Sequence, residues 1–292
     1  MKVGFVGVGA MGLAMAGHAL RAGHEVWATD VNPAQRAAAR DAGLNVADDL
    51  AGIAAQAEVF IIVVVSDAQS ETVTRGLLAA GLAPGSVIAI SATNHPDTMV
   101  RLHAECAAQG VGFVDAPVVY GLQGAVDGDL GTYCGGSAED VARLRPALES
   151  YSRFVEHVGA IGSGQLAKTC NNMMHWAMCV ANYEVLLLAK RYGLDAQKMR
   201  ELLLKSPARN TTLERWDSTN FTWHEKDMDV ALELSQAGAL PLPFFGQVDQ
   251  MIKLLSPAKV KALLYGPEAE YLGGRVVPLT AAEGGFGAPA SA

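Results

Sequence analysis

The chain has 292 residues, 50% of them apolar, which is enough length and hydrophobicity for two ordinary domains, each with its own core. A formal charge of -8 with no run of Lys or Arg argues against nucleic acid or an anionic membrane as partner and leaves small molecules. Cys106, Cys134, Cys170 and Cys179 form no C-x-x-C pair and no Cys/His cluster at metal-ligand spacing, so neither a disulfide framework nor a metal site is indicated, and a reducing cytoplasm fits.

The N-terminal stretch imitates a secretory signal, with Lys2 ahead of an apolar run and Ala14-Met15-Ala16 resembling a cleavage site. Its glycines argue otherwise, since each weakens such a helix by roughly 1 kcal/mol. Residues 2–7, 24–30, 58–66, 86–91 and 111–116 read as strands alternating with helical segments, the pattern of a parallel sheet with crossover helices. VFIIVVV within 58–66 is apolar on both faces, as a central parallel strand should be. Asn32 followed by Pro33 starts a helix that Gly43 ends. After Gly159 the β-branched runs give way to long helical patterns with breaks near Gly193, Pro207, Gly238, Pro241 and Pro257. The expected fold is therefore α/β, with a Rossmann-type dinucleotide-binding domain over residues 1–162 and an all-helical domain over 163–292, joined by a long helix at about 164–191. Residues 169–189 approach membrane-spanning length, but Asn171, Asn172, His175, Asn182 and Glu184 interrupt them and point to a buried helix. The ending GGRVVPLTAAEGGFGAPASA has the composition of a loose tail, or of one held by a partner subunit.

GVGAMG at 7–12 is a G-x-G-x-x-G that closes a predicted strand and opens a predicted helix, with Asp30 following at the end of the second strand. In that context Gly7 permits the tight turn, Gly9 lets the backbone approach a pyrophosphate, and Gly12 lets the helix pack on the sheet, with Val8, Ala10 and Met11 completing the loop. Asp30 would accept hydrogen bonds from the adenosine ribose and repel a 2′-phosphate. It is followed by Val31 and Asn32 without an adjacent Arg, so NAD is expected in preference to NADP. Val65 and Ser66, at the end of the third strand, are expected beside the same cofactor.

GSGQLAKTCNN at 162–172 opens the long helix and sets Lys168, Asn171 and Asn172 at i, i+3 and i+4, on roughly one face. Exposed capping polar groups are the ordinary alternative, but the helix that follows is too apolar to be exposed, and a buried lysine needs a task or a partner. In WHEKDMDVAL, residues 223–232, Lys226 and Asp227 form a second candidate whose ordinary alternative is a solvated helix start. His175 and His224 can equally be core or rim imidazoles.

Taken in order, these segments resemble the β-hydroxyacid dehydrogenase family. GVGAMG is similar to its nucleotide loop, SATNHP (91–96) to its Ser-x-Thr-x-x-Pro segment, and DAPVVYG with QGAVDGDL to its substrate loop. GSGQLAKTCNN is similar to the catalytic helix and KDMDVAL to the Lys-Asp segment, so five collinear motifs carry the resemblance over most of the chain. The resemblance implies an NAD(P)-dependent dehydrogenase or reductase acting on CH–OH groups, assembled as a homodimer or homotetramer. Lys168 would be the general acid/base with a pKa lowered by desolvation, Asn172 would orient the substrate, and Thr93 and Lys226 would lie near the nicotinamide. Imine reduction and a silent dinucleotide-binding protein are the rivals; Lys168 weighs against the first, and retention of both Lys168 and Asn172 against the second.

The substrate loop departs from the family pattern Asp-Ala-Pro-Val-Ser-Gly-Gly. Val119 stands where Ser is expected and Tyr120 where the first Gly is expected, before Gly121. The serine donor is lost and volume is added, so Tyr120 either supplies a replacement hydroxyl or walls a more apolar pocket. His175 and Trp176, one turn past Asn172, are further candidates for substrate contact, and Trp216 and Trp223 flank the Lys226 region. If two of these aromatics line the cleft, a bulkier or aromatic substrate follows. Beyond about residue 257 the ending does not match the family.

Overall fold

In the computed structural model, which describes residues 1–286, the chain divides into two units, Met1–Lys168 and the remainder from Thr169. The first unit alternates β1 (Lys2–Val6), α1 (Ala10–Arg21), β2 (Glu25–Thr29), α2 (Pro33–Asp41), β3 (Asn45–Val46), α3 (Leu50–Ala54), β4 (Val59–Ile62), α4 (Asp67–Ala79), β5 (Val87–Ile90), α5 (Pro96–Ala107) and β6 (Gly112–Asp115). These strands pair in parallel in the order β3-β2-β1-β4-β5-β6. The expected strands are present, trimmed at their ends, and the expected strand over 58–66 is reduced to Val59–Ile62. Val59, Phe60, Ile61 and Ile62 are fully buried, because β4 lies mid-sheet with helices on both faces.

The strand order reverses between β1 and β4, and in such sheets ligands bind outside the carboxyl ends of the strands at that switch point. The chain between 118 and 159 is more regular than its sequence suggests. It forms β7 (Val118–Val119), α6 (Gly121–Asp127), β8 (Leu130–Gly135), α7 (Ala138–Glu149) and β9 (Ser152–Gly159). β8 runs antiparallel to β6 and β7 and parallel to β9, completing a nine-stranded sheet with a mixed edge.

α8 (Ser163–Arg191) is one continuous helix of 29 residues, and the division between the units falls after Lys168. No helix among the described residues is long and apolar enough to cross a membrane. Beyond α8 come α9 (Ala196–Leu203), α10 (Thr211–Glu214), α11 (His224–Ala237), α12 (Pro243–Ile252) and α13 (Pro257–Tyr265). Within this unit α8 contributes Trp176, Cys179, Val180, Tyr183, Leu186 and Leu187 to a core shared with Trp216, Met228, Ile252 and Leu263, a spacing of three and four residues that keeps one stripe inward. Lys190 is buried and donates to the carbonyls of Leu263 (2.9 Å) and Gly266 (2.6 Å), filling acceptors that the end of α13 leaves open. Burial lowers its pKa from the usual lysine value.

The unit is helical with one addition, an antiparallel hairpin of β10 (Ala269–Tyr271) and β11 (Gly274–Val276). The expectation of a loose ending is corrected as far as Phe286. Leu279 N–H donates to the Arg191 carbonyl and Phe286 N–H to that of Tyr192, each at 2.7 Å, and the Tyr192 and Phe286 rings stack at 5.6 Å. The carbonyls at the end of α8 need donors, and this chain's own tail supplies them. Residues 287–292 of the expected tail lie outside the described residues.

Candidate active site

The three glycines of the first loop differ in what surrounds them. Gly7 has φ +89°, and a Cβ there would sit 2.2 Å from the Val63 carbonyl oxygen. A Cβ on Gly12 would sit 2.0 Å from the Gly7 carbonyl oxygen, so the turn and the start of α1 pack backbone against backbone. Gly9 has nothing within 4 Å and is the N-cap of α1 with no side-chain cap, leaving open space in front of the helix N-terminus. That combination fits a dinucleotide pyrophosphate: two positions where a side chain is impossible, and one where only a ligand would notice it.

Asp30, just past the end of β2, ties the loop down. Its Oδ2 accepts the Val8 N–H (2.9 Å) and its Oδ1 the Asn32 N–H (2.8 Å). The Val8 side chain is fully buried in the core, whereas Val31 is 98% exposed. Asn32 caps α2 by accepting the Ala34 N–H. No arginine is adjacent to Asp30 in sequence, but Arg36 reaches it in space, its Nη1 donating to the Asp30 carbonyl at 2.6 Å and to that of Val31 at 3.4 Å. The signal was present, since one helical turn from Asn32 brings residue 36 back to the helix start. Val65 is 55% exposed, and its N–H donates to Gln69 Oε1 (2.8 Å). Ser66 caps α4 by accepting the Gln69 N–H (3.3 Å).

In the SATNHP segment Ala92 and Asn94 are buried while Thr93 is only partly so. The start of α8 is held against β6. Asp115, fully buried, accepts the N–H groups of Gly162 and Gln165, each at 2.7 Å. Burial pushes its pKa up to about 6 against the lowering effect of these backbone donors. Gly162 has φ +88°, and a Cβ on Gly164 would lie 2.7 Å from the carbonyl oxygens of both Asp115 and Tyr133, so the G-x-G ahead of Lys168 is what lets the helix start this close to the sheet. Lys168 follows, partly buried. Asn172, 8% exposed, is four residues further along the same helix, its Oδ1 accepting from Asn171 Nδ2 at 3.1 Å.

The substrate loop is not an open loop. Val118 and Val119 pair with Thr132 and Gly131 of β8, and Val119 is 5% exposed, so its side chain belongs to the sheet. Tyr120 then takes φ +80°, a left-handed conformation that costs a non-glycine residue about 1–2 kcal/mol, at the position where the family pattern has Gly. The Arg153 guanidinium sits 4.6 Å above the Tyr120 ring, and Arg153 Nε donates to Asp129 Oδ1 at 2.6 Å. Tyr120 is therefore held by a cation that is itself held, an arrangement no local pattern announces.

In the second unit, Trp176 packs in the hydrophobic core. It is 4% exposed, and its Nε1 donates to the buried Asp227 Oδ2 at 3.0 Å. Trp216 is also fully buried, whereas Trp223 is 55% exposed. His175 is partly buried, with Nδ1 3.0 Å from Thr212 Oγ1 and its ring 4.5 Å from that of Trp176. Lys226 lies partly buried in the first turn of α11 beside Asp227, whose burial rules out a fully solvated helix start. Among the described residues no group of three or more His, Cys, Asp or Glu side chains is placed to hold a metal ion.

Two family descriptions match the chain in succession: the NAD binding domain of 6-phosphogluconate dehydrogenase over residues 2–162, and the NAD-binding region of NADP-dependent 3-hydroxyisobutyrate dehydrogenase over residues 162–262. The 3-hydroxyisobutyrate dehydrogenase of Pseudomonas aeruginosa is 34% identical over 217 residues, covering 74% of this chain and 73% of its own. The 2-(hydroxymethyl)glutarate dehydrogenase of Eubacterium barkeri is 30% identical over 267 residues, covering 87% of this chain and 88% of its own. Among solved structures, a Mycobacterium tuberculosis 3-hydroxyisobutyrate dehydrogenase with L-serine superposes with a TM-score of 0.80 at 25% identity, over 90% of this chain and 99% of that one.

Proposed function

The chain belongs to the β-hydroxyacid dehydrogenase family and is an NAD(P)-dependent oxidoreductase acting on CH–OH groups. From that premise we propose that it interconverts a hydroxy acid and the corresponding semialdehyde, with a pocket altered toward a bulkier substrate. The observation that carries the reading is Lys168 set four residues before Asn172 on one continuous helix, just past a helix start anchored by buried Asp115.

The backbone of Gly7, Gly9 and Gly12 and the carboxylate of Asp30 hold the dinucleotide in this proposal. When bound, the nicotinamide supplies or takes the hydride. Lys168 moves the accompanying proton: its ammonium donates to the substrate oxygen as a carbonyl is reduced, and its neutral amine accepts that proton as an alcohol is oxidised. Asn172 orients the oxygen with its amide NH2, and Thr93 contributes at the nicotinamide end. NAD is preferred over NADP because Asp30 places a negative charge where a 2′-phosphate would lie. Arg36 is bonded to the carbonyl oxygens of Asp30 and Val31 rather than to the carboxylate.

Tyr120 is proposed as a fixed wall of the substrate site. Its backbone strain and its clamp by Arg153 support a rigid ring in place of the small residues of the family pattern. A homodimer or homotetramer is proposed as well. The exposed Val185 and Leu188 on α8 support self-association, and light scattering on the purified protein measures it. The reducing cytoplasm is the proposed setting for its free cysteines.

The test is oxidation of NADH by the purified protein against short semialdehyde acids and against bulky or aromatic aldehydes, with NADPH and Lys168→Ala in parallel. The expected result is a preference for NADH and for the bulkier carbonyls, with turnover lowered about 10²–10⁴-fold in Lys168→Ala. Equal or better rates on the short semialdehyde acids would remove the altered-pocket reading, and an undiminished rate in the lysine variant would remove the acid/base role.

A further inference from the structure

Gln165 is fully buried, lies one helical turn before Lys168, and has both ends of its carboxamide engaged. Its Oε1 accepts the Asn94 N–H at 2.9 Å, and its Nε2 donates to the Ala92 carbonyl at 2.8 Å. These are the residues immediately before and after Thr93, so one side chain from α8 brackets that threonine across 71 and 73 positions of sequence. The bracket is anchored on its other side as well, because the Gln165 N–H is the one received by buried Asp115 Oδ2. Asn94 is fixed in turn by Ser70, whose Oγ donates to Asn94 Oδ1 at 3.0 Å.

The chemistry of the bracket is narrow. It requires an acceptor and a donor on one planar fork at glutamine's reach. Glutamate has no donor when ionised, asparagine is one methylene short, and methionine has the length without either function. A buried Ala92 carbonyl and Asn94 N–H left without Gln165 would favour movement of the 92–94 segment toward water.

We propose that Gln165 is a positioning residue for the reaction: it fixes Thr93 relative to the turn of α8 that carries Lys168. This rests on the acid/base role of Lys168 given above. The bracket makes no contact with reacting atoms in this reading. It acts by holding two segments in one register, and misplacements of about 1 Å at such a distance cost on the order of 100-fold in rate.

The experiment compares wild type, Gln165→Met, Gln165→Glu and Lys168→Ala. It reads kcat and KM with NADH and the fastest carbonyl of the panel above, the pH profile of kcat, NADH binding by fluorescence, and amide hydrogen exchange at Asn94. For Gln165→Met the expected result is a fall in kcat of about 100-fold with NADH affinity nearly unchanged, together with faster exchange at Asn94. In Gln165→Glu activity should recover as pH falls, because a protonated carboxyl regains the donor for the Ala92 carbonyl, a signature that a general loss of packing would not produce. A Gln165→Met variant with unchanged kcat, or with unchanged exchange at Asn94, would overturn the proposal. So would a Gln165→Glu pH profile parallel to wild type, which keeps the test open should the methionine variant misfold. Full turnover in Lys168→Ala would instead overturn the premise, and the exchange at Asn94 would still report on the bracket.

Discussion

Two glycines of the same loop should differ in how the same added methyl affects stability. At Gly9 the backbone has φ -63° and ψ -169°, which alanine adopts freely, and nothing lies within 4 Å of the new Cβ. Alanine lowers the entropy of the unfolded chain by about 0.4–1 kcal/mol, but it is a poorer N-cap than glycine by an amount of roughly the same size, so stability without ligand should change little. At Gly12 the new Cβ meets the Gly7 carbonyl oxygen at 2.0 Å, a backbone atom that no rotamer change can move. Overpacking of that kind costs about 3 kcal/mol at the upper end of its usual range. The helix-propensity gain of roughly 1 kcal/mol offsets part of this and leaves a net loss of about 2 kcal/mol. For a unit of this size that loss lowers the midpoint of thermal unfolding by about 4–8 °C. Both variants should bind NADH more weakly, Gly9→Ala by roughly 10–100-fold if its methyl occupies space the pyrophosphate needs at about 1–3 kcal/mol. Thermal unfolding of the ligand-free protein and a fluorescence titration with NADH measure the two effects separately. Unchanged NADH affinity in Gly9→Ala would refute the assignment of the loop as the pyrophosphate cradle, and a stable Gly12→Ala would refute the packing argument.

Tyr120→Gly removes about 1–2 kcal/mol of left-handed strain but loses a cation–π contact of roughly 0.5–1 kcal/mol and adds a glycine entropy cost of similar size. Its stability should therefore stay close to wild type while substrate preference moves toward short semialdehyde acids, read as a ratio of kcat/KM values. Asp115 has a raised pKa, about 6 in the folded state against 3.8 as the reference, so the folded protein binds a proton that the unfolded chain releases between those values. Wild type should then gain stability relative to Asp115→Asn by up to about 1.4 kcal/mol per pH unit as pH falls from 6 toward 4, and denaturant unfolding that shows the two curves parallel would contradict this. Phe286→Ala removes the ring stacked on Tyr192 and should lower the stability of the second unit by about 0.5–1.5 kcal/mol, measured by the same unfolding experiment.

What the sequence made legible is what its local chemistry determines. The roles of Gly7, Gly9 and Gly12 depend on atoms a few residues away or on the next strand, and the spacing to Asp30 follows from one βαβ unit. The segment from 118 to 159 was less legible because β7 has two residues, α6 has seven with left-handed residues at both ends, and β8 carries glycines that dilute its strand signal. The tail misled because its Gly, Ala and Pro content suggests disorder, whereas the open carbonyls of Arg191 and Tyr192 decide where it goes. The same limit runs through the candidate site. The departure at Val119 and Tyr120 is visible as a departure, yet the Arg153 guanidinium that covers the Tyr120 ring comes from beyond the motif, held there by Asp129 within it. Gln165 reads as one more polar residue in a helix start until Ala92 and Asn94 are brought to it from the end of β5. Motifs therefore single out residues whose local chemistry is restricted one position at a time, such as Gly7 and Gly12. Side chains such as Gln165 and Arg153 acquire partners only through the fold, so under the proposed mechanism substitutions at either position are expected to alter turnover as well as substitutions at Lys168.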